Sequence, residues 1–378
     1  MKFVSIVSGT STDGLSIANV ELNGYNLDTK YKILSGRNKA FTPKLREELL
    51  KVAENTKIDT EFVSRLSSKL GKVISESVLS LDLDYDIISY SGHTVYHGPS
   101  VGKGRNGTLQ LGEISFLVAR SGKTAITDYR ITDMAYGGLG APLMALSDYI
   151  IFKKPSTLTV NIGGISNVTY LDSNRFIAFD TGPGNMLIDL AMFYLYGQTM
   201  DKNGQIALSG KVSTQLLEYL MRDPFFKKKP PKNSGREYFG SAYLQRIIRR
   251  FPSLKGGDLV RTLTRFTALS IQEQVEKFID GALSDIVVGG GGTKNPVLMQ
   301  DLNELFNGKV RTFSSTGIRD DLREALGFAI LANQTLHGAA GRLTDIQTMS
   351  GPVLGKIVPG RNFDEIFKLL ISNSGTFA

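Results

Sequence analysis

Asp180 is the side chain in this sequence best placed to take a proton. It closes a short apolar run in AFDTGPGNMLID (178–189) and precedes a Thr-Gly-Pro-Gly-Asn turn and a helix-like stretch. A carboxylate delivered from a strand end onto a rigid glycine-proline turn is held still and partly shielded, as a general base must be. The same pattern also suits an ordinary turn or N-cap aspartate. Asp189, inside the helix-like stretch, is the weaker candidate and is expected to face solvent.

Three glycine-rich turns leave strand-like runs: SGTSTDG (8–14), NIGGIS (161–166) and GGGGTKN (289–295). Each alone is an ordinary turn. Together they supply backbone N–H groups and hydroxyls of the kind that cradle phosphate oxygens, and missing side chains that let a ligand come close. None fits the Walker pattern, and the four glycines miss the last glycine of the dinucleotide pattern. His93 and His97 stand four apart in SGHTVYHG, but Thr94, Val95 and Tyr96 favour extended chain and no third metal ligand accompanies them. Asp128, Arg130 and Asp133 of DYRITD cluster at a strand end, where Arg130 would bind an anionic or hydroxylated ligand or pair with an aspartate.

The elements that carry these residues alternate. KFVSIV (2–7) and LSIANVEL (15–22) form a strand pair around the first turn; a helix-period stretch (42–79), a buried strand (86–92), a helix (112–122) and a strand (124–130) follow. TLTVNIGGISNVTYL (157–171) repeats the strand-turn-strand opening, which points to a duplicated domain with a parallel or mixed sheet in each half. Helices are expected at 216–221, 243–250 and 258–279, then strand, glycines and helix at 285–302, a helix in DDLREALGFAILANQTL and a terminal helix at 362–370. The glycine-rich segment 134–145 reads as a crossing between domains.

At 378 residues and 41% hydrophobic, the chain suffices for about two domains of roughly 150 residues. With no cysteine, disulfides and thiolate chemistry are excluded. The start MKFVSIVSG is too short for a secretory core and no 18-residue apolar run follows, so a soluble cytoplasmic protein is expected, without membrane attachment. Net charge is +8, but the runs KKKPPK (227–232) and RIIRR (246–250) accompany no nucleic-acid motif and read as solvated surface, or as steering for an anionic small ligand.

The ordered series SGTSTDG, SGHTVYH, TLQLGE, DYRITD, GGLGAPL, NIGGISN, FDTGPGNML, SGK, PPKNSGREYF, GGGGTKNP and REALGFA resembles the anhydro-N-acetylmuramic acid kinase family over nearly the whole chain. The resemblance implies an α/β fold of two RNase H-like (actin-like ATPase) domains around a central nucleotide cleft. It implies ATP and Mg²⁺ as cofactors, with Ser8, Gly9, Thr10, Ser11, Asp13 and Gly14 in a first phosphate hairpin. Asn161, Gly163 and Gly164 would form a second, and Gly290, Gly291 and Asn295 the adenosine-side turn. Asp180 matches the family's base, which deprotonates a water that opens a 1,6-anhydro sugar while O6 accepts the γ-phosphoryl group. Glu324 matches a second carboxylate, and His93, Thr94, Asp128, Arg130, Gly182 and Asn185 fall at substrate positions. Homodimers are common in the family.

The departures lie on the substrate side. Ser91, Gly92, His93 and Thr94 stand where relatives usually have His-Gly-Gln-Thr, Ile131 and Thr132 replace two arginines, and Leu139 replaces a glutamine. The resemblance therefore fixes the reaction class more closely than the sugar. Levoglucosan or a simple hexose is the first alternative acceptor, and a non-catalytic nucleotide-gated binding protein the second. Domain I is expected over 1–133 plus 345–378 and domain II over 134–344.

Overall fold

The computed structural model describes all residues except 10, 55–57, 99–106, 153–155, 173–175, 345–349 and 374–378. Thr10 and the start of the expected C-terminal tail thus lie outside the described residues. In chain order the first strands are β1 (Lys2–Ser8), β2 (Gly14–Asn23), β3 (Lys30–Ala40), β4 (Ile87–Gly98), β5 (Gly107–Leu111) and β6 (Thr124–Thr127). They are followed by β7 (Thr157–Ile162), β8 (Ile165–Leu171), β9 (Phe176–Pro183), β10 (Asp285–Gly289), β11 (Val310–Thr312) and β12 (Lys356–Val358).

The chain divides into two compact units, residues 1–153 with 321–378, and residues 154–320. In the first, the strand order is β12-β6-β4-β1-β2-β3, with β5 added to β4. β1, β2 and β3 are successively antiparallel, whereas β4 is parallel to β1 and β6 parallel to β4. The second unit has the order β11-β10-β7-β8-β9, again with an antiparallel triplet and two parallel strands beyond its first strand. The repeat seen in the two strand-turn-strand openings therefore extends to whole sheets, the duplicated RNase H-like plan expected.

Central strands are apolar on both faces. In β1, Phe3, Val4 and Ile6 are fully buried, as are Ile286, Val287 and Val288 in β10, the pattern of parallel strands covered on both sides. β3, by contrast, alternates exposed and half-buried positions and carries lysines along the sheet edge, where charge opposes pairing with another chain. The stretch 42–79 resolves into helices Pro43–Ala53 and Thr60–Leu79, each started by a side-chain cap, Thr42 Oγ1 on Leu45 N and Asp59 Oδ1 on Phe62 N. Leu66, Leu70, Ile74 and Val78 of the second helix fall at four-residue steps and are buried against the sheet's apolar face, each contributing about 1.5–3 kcal/mol.

The units divide at 153/154 and 320/321, where the expected domain bounds stood at 133/134 and 344/345. The reason lies in the helix Arg323–Leu336, whose Ala325, Leu326, Ala329 and Ile330 are fully buried. Helix Ala145–Phe152 is fastened to it by Ser147 Oγ donating to Gly327 O at 2.8 Å and by a buried Arg323–Asp148 ion pair. Both helices thereby stay with the first sheet, and residues 134–145 belong wholly to that unit. Among the described residues no helix is long and apolar enough to cross a membrane.

Candidate functional site

The residues singled out in the sequence fall into two sets, one per unit. In the first unit, Ser8 ends β1 beside His93 of β4, and Ser8 Oγ lies 2.8 Å from His93 Nδ1. His93 is fully buried, and burial holds its pKa down at about 4, so the ring is neutral at pH 7. The turn after Ser8 folds Thr12 inward, with Thr12 N donating to Gly9 O at 3.1 Å. Ser11 and Asp13 remain exposed, and Ser11 Oγ donates to Asp13 Oδ1 at 2.8 Å. Thr94 is half-buried and accepts from Gln110 Nε2 at 3.3 Å.

Arg130 does not extend a strand: β6 stops at Thr127, Asp128 adopts a left-handed conformation (φ 60°), and Arg130 lies in the first turn of helix Tyr129–Ala135. Its Nη1 donates to Gly140 O. Asp133 Oδ2 accepts from Gly140 N at 2.8 Å and pairs with Arg342, while Asp128 pairs with Lys356 at 3.0 Å. The two aspartates thus build the glycine loop 137–140 and the strand edge, and the Arg130 charge also acts on Glu324. Burial raises the Glu324 pKa, and the positive charges of Arg323 and Arg130 oppose that rise. Glu324 sits in the first turn of its helix, where a carboxylate also meets the positive end of the helix dipole.

In the second unit three glycine segments converge. The β7–β8 turn is bound to the turn after β9 by Gly184 N to Gly164 O at 2.8 Å, Asn185 N to Gly163 O at 2.8 Å and Met186 N to Gly164 O at 3.1 Å. Asn185 Nδ2 donates to Ile162 O at 3.3 Å, so its amide serves the turns. At Gly290 (φ 90°) a Cβ would stand 2.8 Å from Asn161 Oδ1, which brings the turn after β10 against the same cluster. Gly163, Gly164 and Gly290 are half-buried and Gly291 is exposed, a small-residue backbone surface of the type that accepts phosphate. Asn295 has another position: buried, it caps helix Pro296–Leu305 by accepting from Val297 N and Leu298 N at 3.1 and 3.3 Å.

Asp180 lies inside β9 rather than at its end. The pairing of Ser166 with Gly182 and of Asn167 with Asp180 leaves Thr181 as an extra residue, a bulge immediately after the carboxylate. Thr181 and Ser166 hydroxyls meet at 2.7 Å, and Gly182 packs its backbone under Phe226, so Gly182 shapes the bulge. Asp180 is 6% exposed, and Ser234 N donates to its Oδ2 at 2.8 Å. Segment 232–234 is thus a strap along Asp180, and at its other end Asp180 N donates to Lys232 O at 3.0 Å.

Lys232 is the residue that the sequence reading missed. Lys227, Lys228 and Lys229 are exposed as a solvated run should be, and so are Arg246, Arg249 and Arg250, but Lys232 is only 5% exposed. Its ammonium lies over the rings of Phe225, Phe278 and Phe179 at 4.5, 5.2 and 5.8 Å from their centroids, and donates to Gln274 Oε1 and Phe225 O. Burial lowers its pKa to about 8; Lys277 and Lys228 push the same way, and Asp180 and Glu273 oppose them. A run of lysines gives no signal that its last member turns inward. Asp189 also departs from its expected solvent-facing position: burial raises its pKa to about 7, against the pull of Arg236.

Each unit therefore offers one polar turn region and one acid or base: Glu324 with Arg130 in the first, Asp180 with its strap in the second. The family model described as anhydro-N-acetylmuramic acid kinase matches residues 1–360. The anhydro-N-acetylmuramic acid kinase of Caldanaerobacter subterraneus subsp. tengcongensis is 36% identical to this chain, covering 94% of it and 96% of the relative. That of Bacillus thuringiensis subsp. konkukian is 36% identical over 89% of this chain and 93% of its own, and that of Francisella tularensis subsp. novicida 35% over 94% and 97%.

Proposed function

The chain belongs to the anhydro-N-acetylmuramic acid kinase family and is an ATP-dependent sugar kinase, and from that premise we propose that it hydrolytically opens 1,6-anhydro-N-acetylmuramic acid while phosphorylating O6. In this reading water attacks the anomeric carbon and Asp180 takes its proton. The bond from that carbon to O6 breaks, and O6 attacks the γ-phosphorus of ATP. ADP leaves, and the product is a reducing sugar 6-phosphate. The observation that carries the reading is the fixed carboxylate: Asp180 is buried, aimed by a bulge, and held through Oδ2 by the Ser234 N–H. A base so positioned supplies about 10²- to 10⁴-fold in rate.

The remaining residues divide the other tasks. Ser8 to Gly14, Gly163, Gly164, Gly290 and Gly291 are assigned to the nucleotide, because small residues and turn backbone suit polyphosphate oxygens. Ser11 and Asp13 offer exposed hard oxygens, the donor type that Mg²⁺ takes, and when bound with ATP the ion neutralises phosphate charge. Glu324, whose pKa burial raises against the pull of Arg323 and Arg130, is assigned to orienting the water or a sugar hydroxyl, and Arg130 to the lactyl carboxylate. Thr94 and Asp128 complete the sugar assignment.

Sugar-stimulated ADP release with MgATP, compared between 1,6-anhydro-N-acetylmuramic acid and levoglucosan, tests the acceptor, since only the first has a lactyl carboxylate. NMR of the product tests the ring opening. The expected result is stronger stimulation by the muramic compound and a product with both a 6-phosphate and a free anomeric hydroxyl. Silence with that compound, or a phosphorylated product with its anhydro ring intact, overturns the reading.

A further inference from the structure

Two polar side-chain atoms next to the Asp180 strap are buried without a hydrogen-bond partner among the described residues: Asn233 Nδ2 and Ser234 Oγ. Buried polar groups are nearly always paired, so two orphans in consecutive residues call for a partner from outside the chain. Their surroundings are rigid. Ser234 N is engaged on Asp180 Oδ2 at 2.8 Å, Lys232 O accepts from Asp180 N at 3.0 Å, and the Lys232 side chain is anchored among Phe225, Phe278 and Phe179. The segment cannot swing away to satisfy the two atoms without releasing the carboxylate.

The chemistry of the pair narrows the partner. A carboxamide N–H and a hydroxyl are neutral, one a donor and the other a donor or acceptor, which matches hydroxyl, ring or amide oxygens. No charged donor joins them, because the neighbouring Lys232 ammonium is turned onto Gln274 and the rings. We propose that Asn233 and Ser234 are specificity-determining contacts for the acceptor sugar at its reacting end, Asn233 Nδ2 donating to one sugar oxygen and Ser234 Oγ sharing a hydrogen bond with another. The inference rests on the functional reading above and adds to it the side chains that select a polyhydroxylated ligand beside the base. Because the backbone N–H of Ser234 holds Asp180 while its side chain meets the sugar, recognition and base placement reside in a single residue.

The test uses Asn233→Leu and Ser234→Ala, both of which keep the backbone and so the bond to Asp180. Wild-type ADP release with 1,6-anhydro-N-acetylmuramic acid is measured first; its absence overturns the functional reading and this inference with it. Given wild-type turnover, each variant is expected to raise the KM for the sugar about tenfold or more, with the KM for ATP within about twofold of wild type. Thermal midpoints supply the second readout. Removing an orphaned polar atom leaves the free protein as stable as wild type or more so, whereas a residue needed for folding lowers the midpoint. Unchanged sugar KM in both variants, or a lowered midpoint with kcat loss and no KM change, overturns the inference while the functional reading stands.

Discussion

Ser8 Oγ and His93 Nδ1 meet at 2.8 Å in the buried layer between β1 and β4. This bond ties the first polar turn to β4, and burial holds the His93 pKa at about 4 although the Ser8 contact pulls it upward. An unfolded histidine protonates near 6.5. Between these values the unfolded chain binds more protons, so stability falls as the pH is lowered from 6.5 towards 4. The contribution is about 2 kcal/mol between pH 7 and 5. His97, held near 3 by burial and by Arg130, acts in the same direction. His93→Gln, which keeps a hydrogen-bonding group toward Ser8, is expected to flatten but not abolish the acid loss. Urea midpoints at pH 7 and pH 5 measure it, and equal slopes in both proteins would refute the neutral, buried ring.

Asp180→Asn keeps the size of the side chain and an oxygen for the Ser234 N–H, but removes the proton acceptor. The expected loss is about 10²- to 10⁴-fold in kcat, with the KM for ATP little changed, since only the water's deprotonation is touched. Steady-state kinetics in both substrates decide this. Undiminished turnover would remove Asp180 from the chemistry.

How far the sequence carried this picture depends on what each residue contacts. β1, β10 and the helix Arg323–Leu336 were legible because their apolar runs are dictated by burial on every side. The edge strand β3 was not: KYKILSGRNKA is polar because it faces solvent, and its strand character comes from pairing with β2. The glycines at 137–140 read as a domain crossing, whereas they are a loop built around Asp133, a partnership over long-range contacts that spacing cannot express. Asp180 stood out because a turn of Thr-Gly-Pro-Gly-Asn isolates it. The groups that support it did not, since Phe179 and Phe278, which cover the Lys232 ammonium, are far from it in the chain and nothing local marks their meeting.

Lys232 is a positioning residue by this geometry, and its cost is visible in its titration. An unfolded lysine titrates near 10.4, whereas burial brings Lys232 to about 8. Between pH 8 and 10.4 the unfolded chain holds more protons, so stability rises with pH there, and at neutral pH the buried ammonium works against folding. Lys232→Met fills the aromatic cage without charge. It is expected to be at least as stable as wild type at pH 7, yet to lose kcat because the strap on Asp180 loosens, with the KM for ATP retained. Wild-type kcat is expected to fall above pH 8 as the ammonium loses its proton, and this limb should vanish in the variant. A lower thermal midpoint together with an unchanged pH profile would assign Lys232 to packing alone.

Gly163 and Gly184 separate folding from nucleotide binding. A Cβ at Gly184 would stand 2.3 Å from Gly163 O, inside the contact that joins the two turns, while at Gly163 the nearest atom would be Ile165 O at 3.6 Å. Gly184→Ala therefore forces backbone apart and is expected to lower stability by about 1–3 kcal/mol. Gly163→Ala makes only an ordinary van der Waals contact and should leave stability within about 0.5 kcal/mol of wild type. Its methyl group nevertheless stands where the assigned phosphate must approach, so the KM for ATP is expected to rise about tenfold with the sugar KM unaffected. If Gly163→Ala binds ATP normally, the β7–β8 turn is a fold element only, and the phosphate belongs to the turn after Ser8 and to Gly290.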